Sequence, residues 1–418
     1  MPYQTIKIDQ LIQKESKYQL SITTPKKLIK ESIILEPQTE IWEKRVQMPE
    51  KLKITSEQIY LTAQKLKFHL YNKQQKEFQF SKYKMQSGHT TIIGKRPTQE
   101  DSYEAKLDFG ENKRYCTGAV FDGHSGDQCS IFCGKYYFKY LTELIDEVSF
   151  NDIKCKQIFN KLNEDFYKEC KISGSTATAF IFDAKDNTLI FFNTGDSRQI
   201  FRDGDTVIQA TTDHKPDLPS ERKRIEQSGG NVQTLFGTPR VNGNLAVSRT
   251  IGDFDYKKMD TTKPNIVIAE PDVTTYKIVQ NLKYVLLGCD GLWDVASVEE
   301  VDVAVMTCLA HVNDKVKVEL QNEKQIMISK AMELYIKGKV KEADKLIQAF
   351  SGTQIVEDQV KMPEGHKYDE SAKNSYFLEM VSYFITRLAY MLGSTDNITC
   401  VICAPSNGFE NYTFKMSE

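Results

Sequence analysis

From about Gly88 onward the apolar residues fall into short runs bounded by glycine, asparagine, aspartate or proline. Thr90–Ile93, Gly118–Phe121, Thr176–Phe182, Thr188–Asn193, Ile266–Ala269, Tyr284–Leu287 and Ile398–Cys403 are rich in β-branched and aromatic residues, a pattern that predicts strands. Asp186-Asn187 between two of these runs predicts a hairpin turn. Apolar residues at three- and four-residue spacing predict helices over Asp127–Leu144, Asp152–Cys170 and Tyr376–Leu392. No segment of 20 to 50 residues repeats, which excludes solenoids and propellers. Mainly antiparallel strands with helices inserted in pairs predict a layered α+β domain.

Two stretches differ in texture. Residues 1–85 contain no glycine and a basic excess (14 Lys/Arg against 9 Asp/Glu through Phe80), with one candidate helix at Ser56–Leu70. They read as a partly ordered N-terminal extension. Between Asp290 and Asp396 lies a long helix-rich, charged stretch, about 312–374, with an apolar stripe of Met327, Met332, Leu334, Ile336, Ile347 and Phe350. It reads as a helical insertion whose stripe either recruits a partner or packs on the domain. On the accessory-module reading, a Gly/Ser linker in place of residues 315–372 should leave the rest of the domain nearly intact. The domain itself is expected over 86–405, with 406–418 as a C-terminal tail.

Composition then narrows the class. Lys+Arg 55 against Asp+Glu 57 gives near-neutrality, so no nucleic-acid or anionic-membrane partner is implied. Nine cysteines show neither zinc spacing nor disulfide-scaffold density and read as reduced thiols. There is no run of about 18 apolar residues, no basic-then-apolar leader, and Pro2 stands where N-myristoylation needs glycine. The expectation is an intracellular protein, cytoplasmic and/or nuclear, without a membrane span.

The chemistry concentrates in five acidic signatures: Arg96…Glu100-Asp101, Asp122-Gly123-His124, Gly195-Asp196-Ser197, Asp290-Gly291-Leu292-Trp293-Asp294, and Asp396-Asn397. Apolar strands deliver most of them at their ends. Neighbouring carboxylates about 4 Å apart repel by roughly 4 kcal/mol at an effective dielectric near 20. Such a cluster needs cations, and oxygen ligands of this kind suit Mg²⁺ or Mn²⁺. Arg96 can hold a phosphate oxygen bidentately, and His124 is placed to act as a general acid. The polar, basic stretch Asp213–Asp253 reads as a flap over the site. Walker A, Gly-x-Ser-x-Gly and cysteine-nucleophile motifs are missing from the sequence.

Together with Gly174-Ser-Thr-Ala177, Asp213-His-Lys-Pro216 and Leu245…Ser248-Arg249…Gly252-Asp253, these signatures resemble the protein phosphatase 2C family of metal-dependent serine/threonine phosphatases over about residues 85–405. The resemblance implies a four-layer α/β/β/α sandwich of two antiparallel β-sheets flanked by helices, with metals in a cleft at one end. It further implies that Asp122 bridges two Mg²⁺ or Mn²⁺ ions. Asp290 and Asp396 would serve one ion, Glu100 and the Gly123 carbonyl the other. Asp101 and Asp294 would hold waters beside them, and Asp196 with Asp290 a weaker third ion. Arg96 would bind phosphate, and His124 would protonate the leaving group. The family's usual spacing makes 312–374 an insertion, and residues 1–85 match nothing in the family.

The expected function is hydrolysis of phosphoserine and phosphothreonine in phosphoprotein substrates by water activated at a binuclear centre. The alternative is a phosphatase-fold scaffold or binding protein that meets a partner through the insertion or the extension.

Overall fold

The computed structural model describes residues 85–144, 150–257, 265–312, 316–353 and 376–405. The expected helix at Ser56–Leu70, nearly all of the extension, the 406–418 tail and part of the insertion lie outside the described residues. One five-stranded sheet runs β1 (Met85–Ile92), β15 (Ile398–Pro405), β14 (Leu282–Gly288), β8 (Arg198–Asp203), β9 (Thr206–Gln209). The other runs β13 (Asp272–Lys277), β7 (Thr188–Thr194), β6 (Ala177–Asp183), β3 (Tyr115–Phe121), β2 (Ser102–Phe109). All neighbours are antiparallel. A small sheet joins β12 (Ile251–Gly252), β5 (Gly174–Ser175) and β4 (Gly123–His124), and β10 (Val232–Leu235) pairs with β11 (Thr238–Val241).

Central strands are apolar throughout because both of their faces are buried. Side chains alternate across a strand. In β14, Val285 and Leu287 point between the sheets, while Tyr284 and Leu286 point to the helices. In β6, Phe180 and Phe182 face the other sheet, and Ala177, Ala179 and Ile181 face helices. Phe191 and Phe201 stack across the sheet interface with centroids 5.3 Å apart. Each such ring, fully buried, contributes roughly 1.5–3 kcal/mol.

Helices α1 (Gln128–Glu143) and α2 (Asp152–Phe166) cover the second sheet. Asn151 caps α2 by accepting from the Lys154 N–H at 3.0 Å. Between the strands lie α3 (Pro219–Gln227) and the short α4 (Asp290–Trp293). Helices α5 (Val298–Val312) and α8 (Tyr376–Met391) cover the first sheet. The layers are therefore α/β/β/α, as the family resemblance implies.

Two expectations change. Ile266–Ala269 makes no strand but a single bridge, Arg249 to Ile268. Pro271 interrupts the run just beyond it, and Val267 is spent instead on a small cluster with Ile225 and Val241. The insertion supplies α6 (Glu323–Ile336) and α7 (Val340–Ser351). Its stripe is not a free surface: Met327, Met332, Ile336 and Ile347 are buried in the same apolar cluster as α5, α8 and β14. The two helices thus form a further layer on the domain, although Phe350 remains exposed.

The Asp213–Asp253 stretch is built rather than loose. It contains α3 and the β10–β11 hairpin, anchored by Glu221. This buried carboxylate accepts from Arg249 Nη2 at 2.7 Å, Arg224 Nη2 at 2.6 Å and Ser248 Oγ at 2.7 Å. Burial alone would raise its pKa, but Arg249, Arg224 and Ser248 overcome this and pull it down to about 2. A depressed carboxylate stabilises the fold above its unfolded value of 4.5, and that stability fades as pH falls toward 2. Glu221→Gln should cost about 3 kcal/mol at neutral pH. In urea titrations the gap from the unsubstituted protein should close as pH falls from 4.5 toward 2. A gap unchanged across that range would contradict the anchoring role.

Candidate metal centre

Antiparallel pairing brings every acidic signature to one end of the sandwich. Ile92 pairs with Ile398, Ser102 with Phe121, Gly288 with Cys400 and Ala177 with Thr194. Asp122 therefore follows β3, Asp196 follows β7, Asp290 follows β14, Asp396 precedes β15, and Arg96, Glu100 and Asp101 lie between β1 and β2.

Backbone contacts fix these ends. The Gly123 N–H donates to the Glu100 carbonyl at 3.2 Å, and a Cβ at Gly123 would sit 2.3 Å from that oxygen. Glycine is required there by close approach. Glu100 accepts through Oε1 from Thr98 Oγ1 at 3.0 Å and through Oε2 from the Gly126 N–H at 3.1 Å. Asn397 ties the loops together: its Oδ1 accepts from the Glu100 N–H at 2.9 Å, and its Nδ2 donates to Ile93 and Thr98 carbonyls at 2.8 and 2.9 Å.

Asp101 and Asp122 lie within 4.8 Å of each other, and the neighbouring carboxylates act on one another. Burial first, then Asp290, Asp101, Asp196 and Asp396, pushes the Asp122 pKa well above the usual carboxylate range. Burial, then Asp196, Asp396 and Asp294, does the same to Asp290, against Lys215. Burial raises Asp101 to about 6, although Thr399 Oγ1 donates to it at 2.6 Å. Asp294 is raised too, mainly by burial. Asp122 and Asp290 keep partly open faces, so the cluster looks onto solvent.

Two of the acids are met by side-chain cations. Arg96 Nη2 donates to Asp396 Oδ2 at 2.5 Å and Nε to the Thr395 carbonyl at 3.3 Å. Lys215 Nζ donates to Asp196 Oδ2. The Cys289 thiol lies within 4.8 Å of Asp101 and Asp122. Burial raises its pKa strongly, and it contacts the Asn397 carbonyl and the Thr399 N–H, so it stays a neutral thiol in the wall. The remaining donors are hard oxygens under mutual repulsion, and this set fits Mg²⁺ or Mn²⁺.

His124 sits beside this cluster with a partner that sequence reasoning missed. Its Nε2 lies 2.7 Å from Asp253 Oδ2. Burial pulls the imidazole pKa down, but Asp253 outweighs it and the net shift is upward. A Cβ on Gly174 would stand 2.2 Å from Asp253 Oδ2 and 2.4 Å from His124 Nε2, so glycine leaves room for the pair. The available signal was Asp253 itself, within a quoted motif but without an assigned role.

The Protein phosphatase 2C family matches residues 78–340, and the chain belongs to that family. Asp396 lies beyond the matched residues and reaches the centre through β15. The chain is 35% identical over 221 residues to a probable protein phosphatase 2C 59 of Arabidopsis thaliana, covering 52% of this chain and 68% of that protein. It is 32% identical over 235 residues to protein phosphatase 1B of Homo sapiens, covering 51% and 48%. The chain thus spans two thirds of the plant relative and about half of the human one. In fold it is similar to a C. elegans sex determining protein (TM-score 0.53, 22% identity, 87% of this chain and 78% of that one). It is equally similar to a phosphatase from a pathogenic strain of Toxoplasma gondii (TM-score 0.53, 23% identity, 78% and 93%).

Proposed function

We propose that this protein is a Mg²⁺- or Mn²⁺-dependent phosphatase acting on phosphoserine and phosphothreonine in other proteins. The observation that carries the reading is the Asp122 carboxylate, half-buried within 4.8 Å of Asp101 and under the charge of Asp290, Asp196 and Asp396, a charge that only cations or protons relieve. Asp122 is assigned to two ions, Asp290 and Asp396 to one of them, Glu100 and the Gly123 carbonyl to the other. Asp101 and Asp294 would orient waters beside the ions, and Asp196 with Asp290 would hold a weaker third ion. When bound, the cations lower the pKa of water and offset phosphoryl charge.

The chain's own residues do the rest. Arg96, half-exposed at the cleft, offers its guanidinium to the phosphate. His124 donates a proton to the leaving serine or threonine oxygen. Asp253 holds Nε2, which leaves Nδ1 for that transfer, and favours the protonated ring. The test is phosphate release from a phosphothreonine peptide: activity should vanish with chelator and return with Mn²⁺ or Mg²⁺. Activity indifferent to chelation would overturn the reading.

Leaving-group chemistry tests the acid. His124→Gln should lower kcat on phosphopeptides by about 10²–10⁴-fold. It should act far less on p-nitrophenyl phosphate, whose phenolate leaves without a proton. Asp253→Asn should show the same substrate split in smaller degree. Equal losses on both substrates would remove the acid role from the pair.

A further inference from the structure

Lys215 occupies a position that the acidic cluster does not explain by itself. Asp196 is buried, 4% exposed, and takes the Lys215 ammonium on Oδ2, while the lysine side chain remains 38% exposed. The same ammonium acts on Asp290 and Asp294.

The backbone before Lys215 is pinned on both sides. Asp213 is gripped bidentately by Arg198, at 3.1 Å from Nε and 2.7 Å from Nη2. The His214 N–H donates to the Gly195 carbonyl at 2.9 Å, and the Gly195 N–H returns a bond to His214 Nδ1 at 3.2 Å. The Ser248 N–H donates to the His214 carbonyl at 3.0 Å. With its main chain fixed, Lys215 presents one positive charge to Asp196 at a high effective concentration. Its stem is long and half in solvent, so the charge can also swing away.

Resting on the metal-centre reading above, we propose that Lys215 is a tethered competitor for a divalent cation at Asp196 and Asp290. A dication that needs Asp196 Oδ2 must first displace the ammonium. The lysine neutralises this flank when the ion is absent and weakens the ion when it arrives. Asp290 is shared with the pair assigned to Asp122, but the ammonium's direct bond is to Asp196, so the weaker ion is the one it opposes most.

Calorimetric titration of the full chain with MgCl₂ tests this, comparing the unsubstituted protein with Lys215→Met and Lys215→Arg. The tight phase should stay within about twofold in all three, while the weak-phase Kd should fall about tenfold in Lys215→Met and little in Lys215→Arg. A weak phase that is unchanged, weaker or missing in Lys215→Met overturns the proposal while the tight phase keeps the metal-centre reading intact. No Mg²⁺ binding in the unsubstituted protein overturns both. If Lys215→Met fails to fold, the ¹⁵Nζ resonance of Lys215 in the unsubstituted protein decides. It should move during the weak phase, and a resonance that never moves overturns the competition.

Discussion

Asp122→Asn should reduce phosphopeptide hydrolysis by about 10³-fold or more at saturating Mg²⁺, while the chelated protein becomes more heat-stable. Both effects follow from one charge. The carboxylate lies among Asp290, Asp101, Asp196 and Asp396, and burial makes its ionised form costly. A cation held there gains about 4 kcal/mol per charge contact at an effective dielectric near 20. Losing one such contact from the transition state corresponds to about 10³ in rate. Without cations the same carboxylate is repelled by its neighbours, and an amide of equal shape removes that repulsion. Melting curves in chelator should therefore shift upward by a few degrees, and the upward shift that Mg²⁺ gives the unsubstituted protein should shrink or vanish in the variant. Undiminished turnover, or a lower melting temperature in chelator, would show that Asp122 is not the centre of a cation site. This trade of stability for chemistry is expected where like charges are held together for function.

Legibility in the sequence followed burial. β14 and β15 were readable because Val285, Leu287, Val401 and Cys403 fill the space between the sheets, while Tyr284, Leu286, Cys400 and Ile402 meet helices. β2 and β13 were not, because they form the edges of their sheet and carry charged and half-exposed residues such as Glu104, Lys106 and Asp272. β8 hid for another reason: its arginines are answered only in three dimensions, Arg202 by Asp302 at 2.5 Å and Arg198 by Asp213. The site shows the same division. Acids at the ends of apolar runs announce themselves. Asp253 and Lys215 do not, since nothing local links them to His124 and Asp196, 129 and 19 residues away.

Replacing residues 315–372 with a short Gly/Ser linker should unfold the domain and abolish turnover of small and large substrates alike, contrary to what the segment's length alone suggests. The deletion removes Met327, Ile328, Met332, Tyr335, Ile336 and Ile347 from an apolar cluster continuous with α5, α8 and β14. At roughly 1.5–3 kcal/mol for each large buried side chain, the loss rivals the 5–15 kcal/mol typical of a whole domain. Specific contacts add to it. Tyr335 stacks on Phe384 with centroids 5.1 Å apart. Asp344 accepts from the Tyr335 hydroxyl at 2.7 Å and from Arg387 Nε at 2.9 Å, with a second bond from Arg387 Nη2. Arg387, 9% exposed, would be left with a buried, uncompensated charge beyond its bond to Tyr383. Asp344→Ala alone should therefore cost about 3–5 kcal/mol. The damage reaches the site because α8 leads directly into Asp396 and β15. Circular dichroism and p-nitrophenyl phosphate hydrolysis of the linker variant check this together. A folded variant with normal small-substrate turnover would mean that α6 and α7 cover a core already sufficient without them.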